Sequence, residues 1–233
     1  NEPKNWEISE NTGGTPGISI LPPTAARIDT NITSVSTTVQ IGVNAPNVSF
    51  TVANFGINEL NYNISANPAA WFAVDPSAGL STGLTDANTH TITFDTSSLE
   101  AGVYQDFITI SSNTADNSPY EIPIRIEIIR PELNISSNEI TVATREGQNA
   151  EDVYIDVSNK VSGVMMDYSL SSDVSWFGIT PSQSSSSGPL DIKRHVLTFS
   201  TADLASGSYS GNITIDAGNS LGSPGIIPVN LII

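Results

Sequence analysis

Apolar and polar positions alternate with a period of two along most of this chain. Val48-Ser-Phe50-Thr-Val52, Val153-Tyr-Ile155-Asp-Val157 and Ile122-Pro-Ile124-Arg-Ile126-Glu-Ile128 each put every second side chain on one face. That is the period of a strand with one buried face. Thr, Val, Ile, Phe and Tyr dominate these runs, and such residues suit a pleated, half-buried surface. Turn clusters such as Asn54-Phe-Gly56, Asp75-Pro-Ser-Ala-Gly79 and Ala217-Gly-Asn219 separate the runs. No amphipathic helix is predicted. At most, residues 97–102 and 202–207 are expected to form a single helical turn, each ending in a Gly that would act as a short C-cap. Seven or so short strands per hundred residues imply an immunoglobulin-like β-sandwich.

The pattern also repeats at long range. Laid over itself at an offset of 105 residues, the stretch from Trp71 to Ile128 is identical to that from Trp176 to Ile233 at 22 of 58 positions. Trp71-Phe72 meets Trp176-Phe177, Pro76-Ser77 meets Pro181-Ser182, and Pro119 and Pro123 meet Pro224 and Pro228. Such an offset is domain-sized, well above the period of solenoid repeats. The expected fold is therefore all-β, two tandem immunoglobulin-like β-sandwich domains. The first spans residues 17–129 and the second 130–233. Ile126-Glu-Ile-Ile129 reads as the last strand of the first domain and Leu133-Asn-Ile135 as the first of the second. Between them Pro131 fixes its own φ and holds Arg130 extended, so a semi-rigid joint and an elongated tandem are expected.

Residues 1–16 lie outside the repeat. They are polar, with Gly13-Gly14 and Pro16 as a hinge, and Trp6-Glu-Ile8 forms a small alternating apolar patch. A short N-terminal extension of this kind is expected to act as a donor strand, with Trp6, Ile8, Ile18 and Ile20 as its apolar positions.

Composition narrows the function classes. With 24 acidic and 8 basic residues the net charge is −16, which argues against nucleic acid and against anionic membrane surfaces. The chain has no Cys, hence no disulfide framework and no thiolate chemistry. No run of apolar residues is long enough to insert as a membrane helix. A neutral-polar, Lys-poor composition suits a secreted or cell-surface β-protein. No signal-peptide pattern is present, so the expectation is of a mature form.

The succession Leu60-x-Tyr62, Trp71-Phe-x-Val-x-Pro-Ser77, Thr93-Phe94, Leu99-x-x-Gly102-x-Tyr104, Ile108-Thr-Ile110, Asn117-Ser-Pro119 and Ile122-Pro123 resembles the BACON family of bacterial β-sandwich modules. The resemblance covers both repeats. The second departs from the pattern where Lys160-Val-Ser-Gly163 replaces a Gly-rich turn and where Gln183-Ser-Ser-Ser-Ser187 stands in place of Gly. It implies a β-sandwich, and for function either a carbohydrate-binding role or service as a spacer in large surface proteins.

Candidate chemistry is sparse. Trp71 and Trp176 could offer flat faces for stacking a sugar, yet they recur at equivalent positions, and adjacent strand residues face opposite ways, so at least one of each Trp-Phe pair belongs in a core. His90 and His195, the only histidines, are also equivalent and read as structural. Asp75, Asp86, Asp95, Asp116 and Asp216 are turn carboxylates without a calcium-loop spacing, although loop-bound calcium stays open. A glycosidase would need two positioned carboxylates, and only Asp86 is matched by one in the other repeat, Asp191. No enzyme, cofactor or metal is expected. Asn31, Asn47, Asn63, Asn134 and Asn212 stand in N-x-[ST] acceptor motifs for glycosylation, about as many as this composition yields by chance.

Two functional readings follow. One is a non-enzymatic extracellular structural protein, a subunit of a surface filament, sheath or stalk whose partners are copies of itself joined by strand contacts of the N-terminal segment. The other is a carbohydrate-binding surface module whose partner is a polysaccharide.

Overall fold

The structure, a computed structural model, describes residues 24–66 and 71–233. Within them the first repeat forms nine strands: β1 (Ile28–Thr30), β2 (Val35–Gln40), β3 (Val48–Asn54), β4 (Leu60–Ala66), β5 (Phe72–Asp75), β6 (Ala78–Ser81), β7 (Asn88–Phe94), β8 (Gly102–Ser111) and β9 (Tyr120–Ile129). The second forms nine more: β10 (Leu133–Ile135), β11 (Ile140–Ala143), β12 (Val153–Asn159), β13 (Met166–Ser172), β14 (Phe177–Thr180), β15 (Gln183–Ser186), β16 (Lys193–Phe199), β17 (Ser208–Asp216) and β18 (Gly225–Ile232). The extra strands beyond seven are short, and composition alone does not separate them from turns.

Each repeat builds two sheets. The first has a four-stranded sheet β1-β3-β7-β5 and a five-stranded sheet β2-β9-β8-β4-β6. The second repeats this order as β10-β12-β16-β14 and β11-β18-β17-β13-β15. The opening stretch of each repeat is shared between the sheets: β1 pairs antiparallel with β3, whereas β2 pairs parallel with β9. The parallel ladder begins at Ile124, directly after Pro123, and in the second repeat at Val229, directly after Pro228. Proline has no N–H to give to a second neighbour, which confines it to the stretch of β9 and β18 lacking that partner.

Alternation along each strand fills the two cores. In β9, Ile122, Ile124, Ile126 and Ile128 are buried, and in β12, Ile155 and Val157 are buried. The two cores are separate apolar clusters, one per repeat. Removing about 0.8 kcal/mol worth of CH₂ surface from water per methylene gives each core its stability without staples.

The expected helical turns do not form. Leu99 N donates to Thr96 O at 3.1 Å, and Leu204 N to Thr201 O at 3.1 Å, so each stretch is a hydrogen-bonded β-turn. The Asn44 side chain explains this: its Oδ1 accepts from the backbone N–H groups of Thr96 and Ser97, both at 2.8 Å. Asn149 does the same for Thr201 and Ala202. Gly102 is no C-cap. It opens β8 opposite Ile128.

The joint runs through Arg130-Pro131-Glu132. Leu221 N donates to Pro131 O at 2.8 Å and Leu133 N to Leu221 O at 2.9 Å, so the β17–β18 loop closes around the joint. Arg130 pairs with Glu100 at 2.7 Å. A cleft of about 410 Å³ lies there, bordered by Ile41, Leu99, Arg130 and Asn219.

Candidate functional site

The most elaborate polar constellation of each sandwich sits inside it. His90 is fully buried on β7, and its Nε2 lies 2.8 Å from Tyr62 Oη on β4 while its Nδ1 lies 2.6 Å from Pro76 O. A carbonyl oxygen can only accept, so Nδ1 carries the proton of the neutral ring and Nε2 accepts from the tyrosine. Burial pushes the Tyr62 hydroxyl up to about 12, against a weaker lowering from its contact with Asn88. The second sandwich repeats the relay with Tyr168, His195 and Pro181 at 2.9 and 2.6 Å. Burial likewise raises the Tyr168 hydroxyl. The tyrosines stand 106 residues apart, not 105, because the turn after β12 is one residue longer than that after β3. This constellation ties the turn after β5 to the middle of the sandwich. It has no access to solvent and holds structure.

A second duplicated device fixes the β3–β4 turn. Asn54 is buried; its Oδ1 accepts from Arg27 N at 3.0 Å and Gly56 N at 2.8 Å, and its Nδ2 donates to Asn58 O at 2.6 Å. Asn159 makes the matching bonds to Glu132 N, Val161 N and Val164 O. Asn54 N donates to Ser81 Oγ, as Asn159 N does to Ser186 Oγ.

The paired carboxylates are turn anchors too. Asp86 Oδ2 accepts from the backbone N and hydroxyl of Thr82, which hold the carboxyl below its usual range. Asp191 accepts from Ser187 in the same way, and with Lys193 alongside its carboxyl falls to about 2. Asp75 and Asp95 lie exposed at strand ends, Asp116 in the β8–β9 loop, and Asp216 accepts from Gly218 N. Among the described residues no group of three or more His, Cys, Asp or Glu could hold a metal ion.

Both Trp-Phe pairs lie in the cores. Trp71 is 7% exposed, meets Phe72 edge-on at 4.8 Å and lies nearly parallel to Phe94 at 6.4 Å; Trp176 is 9% exposed and repeats the arrangement with Phe177 and Phe199. Each indole precedes its strand instead of belonging to it, so the rule of opposite faces does not separate it from the phenylalanine that follows. A sugar ring has no open indole face to stack on at either position.

The exposed chemistry is carried by residues that the repeat does not share. Tyr154 on β12 is 57% exposed, with the Arg194 guanidinium 5.7 Å above its ring. Arg194 in turn grips Asp156 through two bonds of 2.8 and 3.0 Å, which hold that carboxyl below its usual range. The first sandwich has Ser49, Thr89 and Thr51 at these places. Tyr154 was not legible as a candidate because strand alternation marks it only as outward-facing.

Of the acceptor asparagines, Asn31, Asn47, Asn63 and Asn134 are exposed and Asn212 is half-buried. Asn31 Oδ1 accepts from Thr51 N, Asn134 Nδ2 donates to Ser158 Oγ, and Asn212 Nδ2 donates to Asp173 Oδ2. Trp6, Ile8, Ile18 and Ile20 lie outside the described residues. The strands that an added strand would meet are present: β5, β6, β14 and β15 each close a sheet with a single neighbour.

Residues 29–119 match the family described as Viral BACON domain. No curated protein matches the chain. Among solved structures, a Porphyromonas gingivalis W83 protein of unknown function is 10% identical, with a TM-score of 0.37 over 88% of this chain and 99% of that one. The D00-D0 domain of intimin is 8% identical, with a TM-score of 0.32 over 88% of this chain and 100% of that one. Extracellular cadherin domains 1–4 of protocadherin gamma B7 are 12% identical, with a TM-score of 0.41 over 89% of this chain and 51% of that one. The order of strands and the duplicated relay agree: the chain is a tandem of two immunoglobulin-like β-sandwich modules, and the first of them is similar to the BACON domain over residues 29–119.

Proposed function

We propose that this is a non-enzymatic extracellular structural protein, a subunit of a surface filament, sheath or stalk assembled through β-strand contacts of its N-terminal segment. One observation carries the reading: every sheet ends in a short strand whose outer edge has no neighbour among the described residues. Such edges accept a strand from another chain through main-chain hydrogen bonds. A contact of this kind between unlike surfaces of successive copies generates an open filament. The buried polar groups support the same reading, since they are spent on identical turn anchors in both copies. Deleting residues 1–16 should abolish assembly seen by electron microscopy or light scattering. Polymers unaltered by the truncation would overturn the strand contact.

The exposed Tyr154, Arg194 and Asp156 favour a second reading, a carbohydrate-binding surface on the outer face of the second sandwich. An aromatic ring beside a guanidinium and a carboxylate offers a sugar both a stacking face and hydrogen-bond partners. Glycan-array binding lost on Tyr154→Ala and retained on Ser49→Ala would support it, and an array with no bound glycan would reject it.

A further inference from the structure

Backbone hydrogen bonds divide the joint at a single residue. Ile129 O accepts from Ile41 N at 2.9 Å, which fastens the end of β9 to the first sandwich. From Pro131 onward the chain belongs to the second: Pro131 O accepts from Leu221 N, Glu132 O accepts from Lys160 N, and Glu132 N donates to Asn159 Oδ1. Arg130 lies between, and among the described residues its backbone bonds to neither sandwich. Pro131 fixes its own φ and confines Arg130 to extended backbone, so few torsions are left to turn one sandwich against the other.

The side chain of that residue reaches back. Arg130 Nη2 donates to Glu100 Oε2 at 2.7 Å. Glu100 stands on a fixed base, because Tyr104 Oη donates to its carbonyl oxygen at 3.0 Å. The second sandwich keeps the tyrosine bond, from Tyr209 Oη to Ala205 O, but has alanine in place of the glutamate. The carboxylate therefore goes with the joint and not with the scaffold. Among the described residues this is the one hydrogen bond of the Arg130 guanidinium, and its Nε is buried without a partner. Such a donor regains a hydrogen bond to water once it is uncovered. The ion pair and the stranded Nε thus oppose each other, and the balance between two orientations is shallow. The cleft beside Arg130, bordered by Ile41 and Leu99 of one sandwich and Asn219 of the other, leaves room for a tilt.

We infer that Arg130 is the hinge of the tandem and that its ion pair with Glu100 is a salt-sensitive latch holding one orientation of the two sandwiches. With 82% of the Glu100 side chain exposed, the pair adds little to folding and is open to screening by salt. It is enough to bias two orientations by roughly two- to fivefold. The inference rests on no part of the assembly reading.

Distances between spin labels test it. The chain has no Cys, so Thr93→Cys and Thr198→Cys place one label on the exposed outer face of each sandwich. Electron–electron double resonance on the full chain, diluted with unlabelled chain to remove distances between copies, should give one dominant distance at low salt. Glu100→Ala, which copies the second sandwich, should lower the ratio of that distance to the others roughly two- to fivefold. Salt at about 1 M, where the screening length is about 3 Å, should do the same to the parent and nothing further to Glu100→Ala. Exchanging the charges, Glu100→Arg with Arg130→Glu, should restore the parent distribution. Lys160→Ala, which breaks the pair with Glu132 inside the second sandwich, should leave it unchanged. Equal distributions in the parent and Glu100→Ala overturn the latch, as does a parent indifferent to salt or an exchange that restores nothing. A shift in Lys160→Ala as large as in Glu100→Ala overturns the placing of the hinge at Arg130. Because copies are diluted out, the outcome is the same whether or not the chain assembles.

Discussion

Tyr62 Oη donates to His90 Nε2 across 2.8 Å in the middle of the first sandwich, and neither residue has any exposed surface. The bond is an obligation as much as a gain, since removing the hydroxyl strands a buried acceptor. Tyr62→Phe should lower stability by about 1–3 kcal/mol, the penalty of an unsatisfied buried group. Tyr168→Phe should cost the second sandwich a similar amount. Urea unfolding followed by fluorescence measures both, and a loss within error of zero would mean that the relay contributes nothing.

The same hydroxyl sets an alkaline limit. Its folded value is about 12 against a reference of 10.0, so the folded state keeps the proton longer than the unfolded chain does. The contribution is fully present below pH 10.0 and is lost as pH rises towards about 12. Stability measured across that window should fall more steeply in the parent than in Tyr62→Phe. Parallel curves would refute this.

On the acid side the sign reverses. Lys193 and the Ser187 N–H hold Asp191 at about 2 against 3.8, so its contribution is present above pH 3.8 and disappears as pH falls towards about 2. A carbon-detected NMR titration should place the Asp191 midpoint at about 2, well below the 3.8 of an unperturbed aspartate. Lys193→Met should raise it, and a midpoint unmoved by that change would exclude the ion pair as the cause.

Gly56 admits no side chain. A Cβ there would lie 2.1 Å from Ala25 O and 2.8 Å from Ala26 C, both backbone atoms that cannot step aside. Gly56→Ala should therefore destabilise the first sandwich by about 1–3 kcal/mol, as overpacking does. The second sandwich has Val161 at the equivalent place because its turn is one residue longer. Val161→Ala should change stability by less than about 0.5 kcal/mol. Equal effects at the two sites would overturn the steric account.

Asn54→Ala should cost about 2–3 kcal/mol, from three side-chain hydrogen bonds lost at a buried turn. Because the two cores are separate clusters, Asn54→Ala and Asn159→Ala should act on different unfolding transitions and add. Calorimetry would reveal coupling if one substitution shifted both transitions.

Much of this fold was legible as alternation. The runs beginning at Val48, Ile122 and Val153 became β3, β9 and β12, and the break at Arg130-Pro131 fell between β9 and β10. What was not legible depended on partners far away in sequence. The parallel pairing of β2 with β9 leaves no local mark except the prolines that delimit it. Asn44 reshapes the stretch near Ser97 across 53 residues, so local propensity alone suggested a helical turn. Tyr62 joins His90 only after the register slip between repeats is allowed for, and an ungapped comparison starting at Trp71 does not reach it. Trp71 and Trp176 stood out by residue type, whereas Tyr154 needed the sheet to show that its ring is bare.

The parallel pairing within each sandwich has a mechanical meaning. Tension between the two ends of a module pulls β2 and β9 in opposite directions along their own axes. Their ladder is then loaded in shear, with all the bonds along the six residues of β2 sharing the force, where a hairpin would peel one bond at a time. The second module's corresponding strand, β11, has four residues, which makes it the weaker link. Under such a load the four-residue ladder of β11 shares the force over fewer bonds than the six-residue ladder of β2.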